Sequence, residues 1–140
     1  MIYWLRITLL TLAFSAQSAN AGIVVIVNPA NPVTDFDKRQ LIDLYMGRNL
    51  YFPDGKLAIR LDQPPTSQIR RDFYQNLVGM SVAEVKAYWA RLLFTGRATP
   101  PLETDNSEQI IDAVLKNETA IGYIQDDEVT DSVKVVGHVE

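Results

Sequence analysis

The run Ile23-Val24-Val25-Ile26-Val27 is apolar and β-branched at five successive positions. A strand with one wet face alternates. One that does not alternate is covered on both faces, as in parallel sheets held between helical layers. Asn28-Pro29-Ala30-Asn31-Pro32 ends it, since each proline lacks a donor and turns its predecessor away from helix. Downstream, Asp37 to Met46 reads as a helix with Asp37 as its cap and Gln40 in capping-box position. Leu41, Leu44 and Tyr45 share one face, and Gly47 lies beyond the end. Pro53-Asp54-Gly55-Lys56 is a turn, and Leu57–Leu61 alternates as a short strand. After Pro64-Pro65, Thr66 or Ser67 can cap a helix to about Val78, with Ile69, Phe73 and Leu77 inward. Ser81-Val82-Ala83-Glu84 opens a third helix to Phe94, its stripe made by Val85, Tyr88, Trp89, Leu92 and Leu93. Pro100-Pro101 leads to a fourth, capped by Asp105 with Glu108 reciprocal, and with Ile110, Ile111, Val114 and Leu115 inward. Thr119–Ile124 and Ser132–Val136 are the last strands. Strands separated by helical segments predict an α/β domain, a mostly parallel sheet flanked by helices.

Upstream of the first strand, Met1 to Arg6 carries one positive charge, and Ile7 to Ala16 is almost wholly apolar. Ala19-Asn20-Ala21 then supplies small residues at the two positions a signal peptidase inspects, the order of a cleavable secretory signal. The apolar run is about half the roughly 20 residues a membrane span needs. Residues 1–21 are therefore expected to be a signal peptide, and 22–140 one domain delivered to the periplasm without a membrane anchor. Losing residues 1–21 removes one base, Arg6, and no acid, so the net charge moves from −4 to −5. The chain has no cysteine, which excludes thiol catalysis, thiolate metal sites and iron–sulfur clusters. An acidic chain with scattered bases is a poor nucleic-acid binder, because that affinity rests on clustered Lys and Arg.

Four segments resemble the phosphate-type, class II periplasmic substrate-binding proteins of ABC transporters. They are Ile23–Pro32; Gln40-Leu41-Ile42-Asp43-Leu44-Tyr45-Met46-Gly47, with Phe52 in place of Trp before Pro53-Asp54-Gly55; Tyr88-Trp89 with Phe94-Thr95-Gly96; and Ala120-Ile121-Gly122-Tyr123-Ile124. Those proteins have two lobes that close over the ligand, and this chain is similar to the second, too short to hold both. The resemblance thus implies a single periplasmic-binding-protein-like lobe, non-catalytic and without a cofactor, with a small anion such as phosphate as ligand. It also leaves open a lobe that has lost its ligand and docks to a membrane transporter or sensor.

The resemblance places Arg60 where an arginine precedes a Ser-Gly-Thr phosphate turn, with Pro64 and Pro65 replacing Ser and Gly, and Thr66 retained. Two prolines remove two N–H donors from that cradle. A helix starting near Thr66 still offers free N–H groups and the positive end of its dipole. Arg60, Thr66, Ser67 and Arg70 are the expected anion ligands, Arg71 completing the densest basic cluster. His138 reads as a surface residue, and Asp126, Asp127, Glu128 and Asp131 as a solvated acidic turn without calcium-loop spacing. Tyr88, Trp89 and Phe94 read as core, and Asn28 and Asn31 as turn formers rather than ligands. No nucleophile–base pair, paired carboxylate motif or metal cluster can be assembled.

Overall fold

The computed structural model describes residues 22–140. The signal-peptide reading of residues 1–21 lies outside them. Five strands and four α-helices follow in the order β1 (Ile23–Val27), α1 (Lys38–Tyr45), β2 (Ile59–Asp62), α2 (Gln68–Val78), α3 (Val82–Thr95), β3 (Leu102–Glu103), α4 (Ser107–Lys116), β4 (Ala120–Gln125) and β5 (Lys134–Val139). The sheet order is β3-β2-β4-β1-β5. β2 pairs parallel with both β3 and β4, whereas β1 runs antiparallel to β4 and β5. Four of the five strands therefore share one direction, a mostly parallel sheet with helices on both faces.

β1 is buried at all five positions, as its unbroken apolar run requires. Ile23, Val25 and Val27 pack into the cluster beneath α1, α2 and α3, while Val24 and Ile26 pack into the one beneath α4. The expected parallel setting is corrected: β1 is the one reversed strand. Burial on both faces reports that helices cover the strand and is indifferent to its neighbours' direction.

Local signals set most helix ends. Asp37 and Gln40 form the capping box of α1, Ser81 and Glu84 that of α3, and Ser67 caps α2 by accepting from the Arg70 N–H. α4 differs from expectation. Asn106 is its cap, and Asp105 with Gln109 makes the reciprocal bonds one residue later than the Asp105–Glu108 spacing predicts. Leu93, Phe94 and Leu115, expected inward, are exposed at the last turns of their helices, Phe94 at 95%. The two-residue β3 was not expected, because it is too short to leave a period. The last strand runs further, to Val139.

Gly122 lets α4 approach the sheet: a Cβ there would lie 2.4 Å from Ile110 Cγ2. Gly122→Ala should therefore cost about 1–3 kcal/mol through overpacking, read as a lower urea midpoint. The Gly122→Ala/Ile110→Ala double variant should lose less than the sum of the two single variants.

Candidate functional site

β2, β3 and β4 end at the same edge of the sheet. After β2 the chain enters α2, whose Ile69, Phe73, Tyr74 and Leu77 pack on one face. After β3 it enters α4, whose Ile110 and Val114 pack on the other. Adjacent parallel strands whose following helices diverge to opposite faces make a topological switch point, the place where open α/β sheets receive ligands. Two helix N-termini, those of α2 and α4, arrive there.

The crevice between them is built on Asp62, the last residue of β2, 2% exposed. Tyr123 donates its hydroxyl to Asp62 Oδ1, Tyr74 donates to Oδ2 at 2.6 Å, and the Gln63 N–H donates to Oδ1 at 2.9 Å. Arg70 Nε faces Oδ2 at 3.7 Å. Every neighbour of the two oxygens is a donor or a cation, so the network is made for a carboxylate. Burial pushes the Asp62 carboxyl above its ordinary range, and Arg70, Tyr123 and Tyr74 pull it partly back. Burial also pulls on Arg70, yet there the Asp62 charge and the Glu103 contact prevail and its pKa is raised. Both values rise, but the rise works against the charged form of Asp62, the deeper partner, and in favour of the charged form of Arg70. Burial and the nearby Asp62 charge raise the Tyr74 and Tyr123 hydroxyls well above their usual value, which keeps both as donors.

Around this centre the loops are tied together. Gln63 donates Nε2 to Ser107 Oγ at 2.9 Å and to the Tyr123 carbonyl at 3.0 Å. Thr104 donates both its N–H and its hydroxyl to the Asp62 carbonyl, each at 2.9 Å. Phe73 stacks on Tyr123 at 3.7 Å, and Tyr45 meets both rings edge-on.

The expected ligands divide into two groups. Ser67 and Arg70 stand at the start of α2 beside exposed Thr66. Ser67 Oγ donates to the Pro64 carbonyl at 2.7 Å, and Arg70 Nη1 donates to the Gln63 carbonyl at 3.1 Å and to Glu103 Oε1 at 3.0 Å. Arg71 holds the same loop from outside, donating to the Thr66 carbonyl at 2.9 Å. Arg60 is elsewhere: 6% exposed, it lies 5.5 Å over the Trp89 ring and donates Nη2 to the Thr99 carbonyl at 2.5 Å. Among the described residues, its Nη1 and Trp89 Nε1 are buried without hydrogen-bond partners. Burial lowers the Arg60 pKa, against the pull of Tyr45, Tyr74 and Asp62. Sequence reasoning missed Asp62, Gln63 and Tyr123, and also Glu103, since β3 was not expected.

Other candidates fall into structural roles. Asn28 and Asn31 donate to the carbonyls of Val114, Leu115 and Glu118, closing the C-terminal end of α4. Because β1 is reversed, they stand at the edge opposite the crevice. A hollow of about 980 Å³ near the start of β1 is lined by Asp72, Asp126, Asp127, Glu140 and His138, the wrong charge for an anion. Among the described residues, no helix is long and apolar enough to cross a membrane.

No protein-family model and no curated protein sequence matches the chain. Solved structures do. A putative phosphate ABC transporter substrate-binding protein with bound phosphate from Clostridium perfringens superposes with TM-score 0.66 and 29% identity, over 82% of this chain and 44% of that one. The chain has the fold of part of a phosphate-transport substrate-binding protein. An ABC-type phosphate transport receptor from Vibrio cholerae matches at TM-score 0.66 and 22% identity, over 82% and 45% of the two chains. PstS from Borrelia burgdorferi gives 0.66 at 11% identity, over 83% and 46%, a likeness of fold alone. The chain spans about 45% of the length of these proteins, which agrees with the single-lobe reading.

The raised Asp62 pKa fixes a sign. An acid whose folded pKa exceeds its unfolded value adds stability below the unfolded value and loses it as pH rises through the folded one. The stability of wild type relative to Asp62→Asn should therefore fall as pH rises from about 4, then flatten once Asp62 is ionised. Urea unfolding of both proteins across that range measures it. A difference independent of pH would remove the assignment.

Proposed function

We propose that the protein is a non-catalytic periplasmic binding module, a single-lobe relative of phosphate-transport binding proteins that takes a small oxyanion. The observation that carries this reading is the switch-point crevice, where Arg70 and the α2 N-terminus meet at the ends of parallel strands. Thr66 supplies a hydroxyl and α2 its first-turn N–H groups, while Ser67, bonded to the Pro64 carbonyl, shapes the turn, so phosphate or sulfate finds donors beside the Arg70–Glu103 pair. Arg60, directed toward Thr99, adds charge from behind the crevice rather than a direct contact. The bound phosphate of the Clostridium perfringens protein supports the ligand class. Two or three charge-assisted bonds at about 1.5–3 kcal/mol each must offset about 4 kcal/mol or more of association cost. One open lobe then binds in a roughly millimolar range.

A second reading is favoured by one observation: Arg70 already has Asp62 and Glu103 as partners. A lobe whose arginine is satisfied internally serves as a protein-docking module for a membrane transporter or sensor. Titration with inorganic phosphate, followed by amide NMR, separates the two. The first reading expects the Thr66–Arg70 amides to move with a millimolar midpoint that weakens with salt. Unmoved amides at tens of millimolar phosphate would leave the docking reading. N-terminal sequencing of the exported protein should begin at Gly22.

A further inference from the structure

Glu103 is one of two residues of β3, the edge strand, and both are exposed. Its backbone is fixed, because β3 pairs Asp62 with Glu103 and Thr104 donates twice to the Asp62 carbonyl. Among the described residues, its side chain is held by Arg70 alone. It is 55% exposed, yet it brings Oε1 to 3.0 Å from Nη1 of an arginine whose own side chain is only 10% exposed. Arg70 therefore has two acidic partners of different kinds. Asp62 lies behind it, buried and held by Tyr74 and Tyr123. Glu103 approaches from solvent, the side from which any ligand must come. Arg70 Nε is buried and faces Asp62, so the part of the guanidinium that an incoming ligand can meet is the side that Glu103 holds.

We propose that Glu103 is the specificity-determining residue of this crevice, a tethered carboxylate that an incoming oxyanion must displace from Arg70. The inference rests on the anion-binding reading. A carboxylate held beside its partner by a short tether acts at an effective concentration in the millimolar range or above. Free monocarboxylates offer Arg70 the same kind of carboxylate oxygen that Glu103 Oε1 already supplies, without the tether, and so cannot compete. Phosphate and sulfate carry further acceptor oxygens for the exposed Thr66 hydroxyl and the first-turn N–H groups of α2. Displacement then exchanges one contact for several. The exchange also moves the Glu103 charge into water, at little cost for a half-exposed group.

The test compares wild type, Glu103→Gln and Glu103→Ala, titrated with inorganic phosphate and separately with sodium acetate at constant ionic strength. The Arg70 Nε–H resonance and the Thr66–Arg70 amides report binding. Removing the charge in Glu103→Gln should tighten phosphate by about three- to fivefold. Glu103→Ala should bind acetate at concentrations where wild type does not, because a free carboxylate then fills the vacated position. Thermal unfolding of the variants should stay close to wild type. Wild type that binds phosphate, with Glu103→Gln equal or weaker, would overturn the role of Glu103 and leave the binding reading standing. No phosphate binding by any of the three proteins would overturn the binding reading, and this inference with it.

Discussion

One buried carboxylate organises this domain. Asp62 is the point at which β2 stops being sheet and becomes loop, and its two oxygens gather a tyrosine from β4, a tyrosine and an arginine from α2, and the amide of its own successor. Its backbone carbonyl holds the residue that follows β3. Four elements thus converge on one residue. An unpaired charge at this depth would cost several kcal/mol, and an imperfectly satisfied one is worse than an apolar replacement. The arrangement is stable only when every member is present. That dependence explains why Tyr74 and Tyr123 are fully buried although each has a polar end.

The same residue couples the interior to the functional edge. Asp62 orients Arg70 from behind, so the guanidinium is held by a group no ligand can reach. Around it, Gln63 spans from the β4 backbone to Ser107 at the start of α4. The two sides of the crevice are thereby linked by side-chain bonds rather than by packing alone. A surface assembled this way is preformed, which limits the ordering cost of capturing a small ligand.

Much of the architecture was legible because it follows from period and capping chemistry. The unbroken β-branched run marked a doubly covered strand, and the spacings Asp37–Gln40 and Ser81–Glu84 marked helix starts that the fold places as expected. Strand direction was not legible, since burial reports what covers a residue and not the polarity of its neighbours. The α4 cap moved one residue because Asp105, Asn106 and Gln109 offer competing reciprocal bonds. In the candidate site, Ser67 and Arg70 were found from helix-start chemistry, and the place of Arg60 came from a resemblance. Asp62 was passed over because an acid at a strand end looks like ordinary surface. Only its pairing with Tyr123, 61 residues away, gives it meaning, and a single sequence carries no local sign of that. Phe94 shows the converse limit, since helical spacing cannot tell where a helix outlasts the core it covers.

The reversed β1 also bears on how the chain comes to be folded. Its two neighbours are the last strands of the sequence, Val24 pairing with Ile124 on one side and His138 on the other. The centre of the sheet is therefore closed by contacts between the first and final segments, the kind of long-range pairing that slows folding. During synthesis β1 emerges first and waits, apolar on both faces, until nearly the whole chain is available. Until β4 and β5 are in place, both long edges of this five-residue apolar segment lack their native partners, so the strand that centres the sheet is among the last to be completed.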